Sequence, residues 1–86
     1  MADRFWVGGT GTWSSSNTTN WAATTGGAGG ESVPGAADTV TFDANSGTSF
    51  TVTVDTGYNP SVTSVTGGAA TVTLNLNDQT LTAQTF

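Results

Sequence analysis

Residues 5–21 read FWVGGTGTWSSSNTTNW and contain all three tryptophans of the chain. Between the tryptophans lie almost only Gly, Ser, Thr and Asn, which favour turns over a helix or a long regular strand. A tryptophan ring carries a large apolar area and an indole N–H that needs a partner when buried. The stretch therefore predicts a loop-rich aromatic cluster that packs over one end or one flank of the strands that follow.

The strands are predicted by alternation of apolar and polar residues with period two. The alternation is clear over residues 39–43, 50–55 and 71–77, weaker over 61–66 and 80–84, and short over 5–7 and 12–13. Gly, Pro and Asn separate these segments, and Val33-Pro34-Gly35 predicts a turn with Gly35 at positive φ. No window has helical spacing, so the fold class is predicted to be all-β.

A repeat of about 20 residues predicts the arrangement of the strands. Val52 and Val54 stand 20 residues before Val72 and Leu74 (72 − 52). This spacing, with short strands and Gly or Asn turns, is typical of a short β-solenoid-like fold. A β-sandwich of about seven short strands gives a similar pattern, so both architectures stay open. In either, residues 1–86 form one domain, with a Trp/Gly-rich cap and loops over 1–35 and a strand body over 36–86.

The charge pattern excludes several classes of partner. Only 8% of the residues are charged, against about 25% in ordinary domains, the net charge is −5, and Arg4 is the sole cation. Binding to a phosphate backbone or to an anionic membrane needs clustered Lys and Arg, so we expect no nucleic-acid and no membrane partner. No apolar run is long enough to span a bilayer. The opening residues contain no secretory signal, and the initiator Met favours synthesis in the cytoplasm followed by assembly.

Side chains for catalysis and for metal or cofactor binding are scarce. The chain has no His, Cys or Lys, which removes most nucleophile–base pairs. Six carboxylates remain, most of them at turn positions where an aspartate bonds its own backbone: Asp3, Glu31, Asp38, Asp43, Asp55 and Asp78. Calcium is the one metal that oxygen ligands allow, from Asp43, Asn45 and Asp55, but no loop carries dense alternating carboxylates. We therefore expect no enzyme, no catalytic residue, no metal and no cofactor.

The aromatic side chains are the candidates for ligand binding. Trp6, Trp13, Trp21 and Tyr58 would form a platform on which a sugar ring stacks. The alternative is that the tryptophans belong to the core, because the chain has few large aliphatic residues to bury.

Three segments carry a resemblance to known proteins: RFWVGGTGTW at 4–13, NW at 20–21 and SVPGAADTVTFD at 32–43. Together they resemble the opening module of bacteriophage structural proteins of the tail-fibre, tail-associated or decoration type. A looser form is similar to autotransporter-associated β-strand repeats of bacteria. The resemblance implies a non-catalytic virion protein with β-helical architecture, other virion proteins as partners, and often a trimer. The alternative is a carbohydrate-binding or adhesive module on the bacterial cell surface.

The last predicted strand indicates a contact between subunits. An 86-residue chain without disulfides is thinly stable alone, so a partner subunit is the natural source of further stability. The strand from residue 80 to 86 ends on an apolar residue without a charged or proline cap, and such an edge invites pairing. We expect Leu81, Ala83 and Phe86 at a homo-oligomer contact or at a continuation of the chain, with a trimer as the closed form.

Overall fold

The computed structural model describes residues 2–68 and 71–85, and within those ranges the chain is all-β, with no helix. Its strands are β1 (Asp3–Trp6), β2 (Gly11–Trp13), β3 (Trp21–Ala22), β4 (Thr39–Phe42), β5 (Ser49–Val54), β6 (Ser61–Gly67), β7 (Thr71–Asn75) and β8 (Thr82–Thr85). The all-β prediction is confirmed. In the part of the chain that the structure describes, no helix has the length and apolarity of a membrane span.

The strands form one mixed sheet and one parallel sheet. The larger has the order β3-β1-β4-β6-β8, and the smaller has the order β2-β5-β7. Every pairing is parallel except β1 with β3. From β4 onward the chain passes alternately between the sheets, because β4, β6 and β8 belong to the larger and β5 and β7 to the smaller. From β4 onward, strands that are neighbours within a sheet are thus second neighbours along the chain.

The register of the smaller sheet preserves the predicted face. Phe50 lies opposite Val72, and Val52 lies opposite Leu74. The paired positions are 22 residues apart (74 − 52), two more than the spacing seen in the sequence. An even shift keeps the same side chains on the same face of the sheet, so the apolar row still points inward.

The core lies between the two sheets and includes strands from both halves of the chain. Its members are the side chains with almost no exposed surface: Trp6, Trp13, Trp21, Val40, Phe42, Phe50, Val52, Val54 and Val62. Residues 3–22 contribute to both sheets, since β1 lies between β3 and β4, and β2 pairs with β5. The N-terminal segment is therefore built into both sheets through its own strands.

The turn after Pro34 differs from its prediction. The Asp38 N–H donates to the Gly35 carbonyl oxygen at 3.0 Å, so Gly35 opens the turn and Ala36 and Ala37 occupy its central positions. The φ of Gly35 is not positive, and the prediction that it would be is wrong. The first position of a turn accepts ordinary negative φ, and the glycine is not needed there for its conformational freedom.

Candidate interaction surfaces

The three tryptophans form an aromatic cluster centred on Phe42. Trp21 meets Trp6 and Trp13 edge to face, with ring centroids 5.0 and 5.2 Å apart. The Phe42 ring lies 6.2–6.4 Å from all three indoles. These distances and tilts are those that the quadrupoles of aromatic rings favour. The cluster joins strands β1, β2, β3 and β4.

The indole N–H groups of the cluster are satisfied unequally. Trp6 Nε1 donates to the Gly9 carbonyl oxygen at 2.7 Å. Trp13 Nε1 and Trp21 Nε1 are buried without a hydrogen-bond acceptor among the described residues. The Trp21 ring is fixed by packing alone.

The aromatic candidates for sugar stacking are buried. Trp6, Trp13 and Trp21 have 0% exposed surface, so none of these rings presents a face to solvent. Tyr58 is half-buried against the core. Burial raises the pKa of its hydroxyl above the ordinary 10.0. The four residues therefore do not form an exposed platform in this structure.

Asp38 holds three segments together directly before β4, the central strand of the larger sheet. Its Oδ1 accepts from the Ala2 N–H at 3.0 Å, and its Oδ2 accepts from the Gly35 N–H at 2.8 Å. Its backbone carbonyl oxygen accepts from the Thr63 N–H at 2.8 Å. The Gly35 N–H is the main cause that lowers the pKa of the Asp38 carboxyl below 3.8. Slight burial opposes the shift, and the Ala2 N–H and the charge of Arg4 add to it.

Two of the three candidate calcium ligands lie together in one turn, and the third lies apart from them. Asp43 Oδ2 accepts from the Thr25 hydroxyl at 2.6 Å, and its Oδ1 accepts from the Asn45 N–H at 3.0 Å. Asp55 follows the far end of β5, and a six-residue strand spans roughly 20 Å. Asp43 and Asn45 are thus brought together, and Asp55 is not. Within the described ranges, no three carboxylates are grouped for a metal ion.

Strands β7 and β8 leave one end of the two sheets open. Each is the outermost strand of its sheet and is paired on one side only among the described residues. We call these two strands, with residues 76 and 81, the open end. Its apolar side chains are half-buried, apart from Leu76, which is 37% exposed: Val72, Leu74, Leu76, Leu81 and Ala83. Of the predicted contact residues, Leu81 and Ala83 lie here, and Phe86 lies outside the described residues.

The opposite end, which we call the closed end, is covered by the chain itself. Residues 14–20 run from β2, the outermost strand of the smaller sheet, to β3, the outermost strand of the larger. The Asn17 side chain reaches back to the Thr12 carbonyl oxygen at a long 3.4 Å. Trp21 projects inward from β3 with no exposed surface. The two ends of the molecule therefore differ in how much of their apolar interior is covered.

The sequence did not indicate that β7 is also an edge. The alternation over residues 71–77 predicts a strand whose apolar face is inward, and such a strand fits the middle of a sheet equally well. Parallel pairing of second-neighbour strands is the signal that was missing, because it makes the last two strands outermost together.

No protein-family model, no curated protein and no solved structure matches this chain.

Proposed function

We propose that this protein is a non-catalytic structural component of a bacteriophage particle, either a capsid decoration protein or a tail-fibre module. Its architecture would be a short β-solenoid with a tryptophan-rich N-terminal cap. The observation that carries the proposal is the parallel pairing of second-neighbour strands in two facing sheets. A sandwich would instead join its strands by antiparallel Greek-key connections.

The cap is supported by the course of residues 14–22. This segment crosses the closed end and places Trp21 over the interior between the sheets. Solenoids need a terminal segment that shields their last apolar layer from water. The aromatic cluster supplies that shield at the closed end.

A non-catalytic role is supported by what the side chains already do. The outward positions of β5 and β7 carry hydroxyls, at Ser49, Thr51, Thr53, Thr71 and Thr73, and the inward positions build the core. Asp38 and Asp43 bond backbone and hydroxyl donors in turns. In scaffold proteins, too, most side chains serve to form strands and to fill the core.

The assembly is proposed to be a homo-oligomer that also contacts other virion proteins. The open end supports the oligomer, since exposed strand edges tend to pair. The trimer rests on the resemblance to phage proteins alone. The location proposed is the virion, and the bacterial cell surface is the alternative.

Mass spectrometry of gradient-purified virions from the strain that encodes the protein tests the particle assignment. Chymotrypsin is the right protease, because Arg4 is the one residue at which trypsin would cut. Peptides of this chain should appear in intact particles at a ratio comparable to capsid or tail proteins, and should be missing from particles of a deletion strain. Peptides found in the cell envelope and absent from particles would favour the adhesive module instead.

Tryptophan emission tests the alternative of a carbohydrate-binding module. Because all three indoles are fully buried, we expect blue-shifted emission that bacterial surface glycans leave unchanged. A saturable spectral shift with one defined glycan would contradict a purely structural role.

A further inference from the structure

The open end combines two kinds of unsatisfied surface in one place. Strands β7 and β8 each present one unpaired backbone edge among the described residues, and these edges face the same way. Between them lies an incompletely covered apolar layer that includes Leu74, Leu76 and Leu81. A surface of this kind is completed by strands that extend both sheets at once, not by a small ligand.

We infer that the open end is an interface between two copies of this chain, joined end to end by two-fold symmetry. In this arrangement β8 pairs with β8 of the second copy, and β7 pairs with β7, both in antiparallel orientation. The inference deepens the proposed function by naming the partner at this end. It rests on the proposed homo-oligomer and does not depend on the particle.

The two-fold geometry follows from the two-sheet arrangement. A two-fold axis perpendicular to both sheets keeps each sheet in its own layer and reverses the direction of its strands. The larger sheet of one copy then continues into the larger sheet of the other, and the smaller into the smaller. Antiparallel edges form complete hydrogen-bonded ladders. The contact uses the same patch on both copies, so it closes at two and does not propagate.

Head-to-tail stacking of copies is disfavoured by the closed end. There β3 is a two-residue strand antiparallel to β1, and residues 14–20 cross from sheet to sheet. The Asn17 amide already occupies the Thr12 carbonyl oxygen. The outward backbone groups of β3 are also occupied, because the Trp21 N–H donates to the Thr18 carbonyl oxygen and the Trp21 carbonyl oxygen accepts from the Glu31 N–H. An open end arriving at this surface would therefore find one edge already bonded and, among the described residues, no exposed apolar layer. The like end of a second copy is the complementary surface that the chain itself provides.

The distribution of charge favours the same contact. Each copy carries a net charge of −5, so most faces of two copies repel each other. Residues 71–85 contain one charged side chain, Asp78. The open end is thus a weakly charged part of the molecule, and two copies can meet there with little repulsion between their carboxylates.

Sedimentation equilibrium of the 86-residue protein tests the interface. We expect a dimer at micromolar concentration. Leu76→Asp places a carboxylate in the contact and should raise the dimer dissociation constant by more than about tenfold. Ser16→Asp adds the same charge to an exposed position of the closed end and should leave the constant unchanged. Circular dichroism checks that both variants keep their strands.

Cross-linking gives a second readout that does not require a destabilising change. The chain has no cysteine, so Gln84→Cys introduces a single thiol on the exposed face of β8. A short bis-maleimide cross-linker should join two such copies, whereas Ser16→Cys should stay uncoupled. A monomer at every concentration would overturn both the homo-oligomer and this interface. A trimer, a filament, or coupling only through position 16 would keep the oligomer and overturn the two-fold contact.

Discussion

Phe42 is the residue on which the aromatic cluster depends most. Its ring lies within 6.4 Å of the centroids of all three indoles and of Phe50, and the residue is 2% exposed. Phe42→Ala should leave a cavity that rigid indole rings fill poorly, and should lower the free energy of unfolding by about 3–5 kcal/mol. Urea denaturation followed by tryptophan emission measures this loss.

Phe5→Ala is the matched control for that prediction. Phe5 is also in a strand but is only half-buried, and it lies on the opposite face of β1 from Trp6. Its removal should cost clearly less than that of Phe42. Equal losses at the two positions would show that the cluster is not the centre of the core.

Asp38 predicts a dependence of stability on pH. Its pKa is lower in the folded chain than the ordinary 3.8, mainly because the Gly35 N–H stabilises the carboxylate. A lowered pKa stabilises the folded state at pH values above 3.8, and the contribution is lost as pH falls through the folded value. The stability difference between wild type and Asp38→Asn should be largest near neutral pH and shrink below pH 3.8. Thermal melts from pH 7 to pH 2.5 check this, and a constant difference would contradict it.

Gly47 and Gly35 predict opposite effects of adding a methyl group. Gly47 has φ +148, and a Cβ there would lie 2.8 Å from the Phe50 ring. Gly47→Ala should therefore destabilise by about 1–3 kcal/mol. At Gly35 the nearest atom to a new Cβ is Asp38 Oδ2 at 3.8 Å, so Gly35→Ala should gain about 0.4–1 kcal/mol. Chemical denaturation of both variants compares them, and equal losses would contradict the turn geometry.

Individual residues were predictable where burial alone decides their place. The scarcity of large aliphatic side chains already favoured a core position for Trp6, Trp13 and Trp21, which have 0% exposed surface. The conformation of Gly35 was not predictable, because it depends on which residue opens the turn. That choice is made by the Asp38 side chain when it accepts the Gly35 N–H.

The β7–β8 connection is an element whose turn residues have unusual backbone angles. Asn77 and Asp78 have φ of 53 and 62, and the Gln79 N–H donates to the Leu76 carbonyl oxygen at 2.8 Å. The Asn77 amide donates to the Val54 carbonyl oxygen and to the Thr56 hydroxyl, which ties this turn to the connection between β5 and β6. The β7–β8 connection is therefore held in place by its own side chains and by the β5–β6 connection.

Substitutions at Asp78 test that turn. Asp78→Val should lower the free energy of unfolding by about 1–2 kcal/mol, because a β-branched residue resists left-handed angles. Asp78→Gly accepts the same angles and should change stability by less than about 0.5 kcal/mol. Thermal denaturation of both variants at a fixed protein concentration separates the two effects. Tolerance of valine would show that the turn has another conformation.

Strands with period two were predicted well, and the shortest one was not. The alternation over residues 39–43 and 50–55 places β4 and β5 to within a residue. Strand β3 has two residues and no alternation, and it exists because Trp21 and Ala22 pair with β1. The register of β5 on β7 also depends on how many residues the intervening turns absorb, which the repeat in the sequence underestimates by two.

Across the whole molecule, the pairing of strands that are distant in sequence predicts slow folding. Partner residues are 36 apart for β1 with β4 (39 − 3) and 41 apart for β2 with β5 (52 − 11). Such contacts close long loops before they gain stabilisation, so folding should take milliseconds to seconds at about room temperature. Stopped-flow refolding reports it directly, since burial of three indoles gives a large signal. Folding within microseconds would contradict the pairing.

The overall arrangement was predictable as a choice between two architectures and no further. A spacing of about 20 residues fits both stacked parallel strands and antiparallel hairpins, because periodicity does not record strand direction. Direction is decided by whether each connection returns to the same sheet or crosses to the facing one. Here the turns after Phe42 and Val54 cross, and this depends on the packing of Val40, Phe42 and Val52 between the layers.

The alternation of the chain between two sheets has a mechanical consequence. A pulling force on residue 85 would load the outermost strand alone, so β8 would peel from β6, then β7 from β5, and the layers would lose strands in turn. Each step breaks one short ladder, and the extension would rise in small, separate increments. The indoles around Phe42 lie farthest from the pulled end and would yield last. The resistance to extension should therefore be lowest at β7 and β8 and highest around the tryptophans.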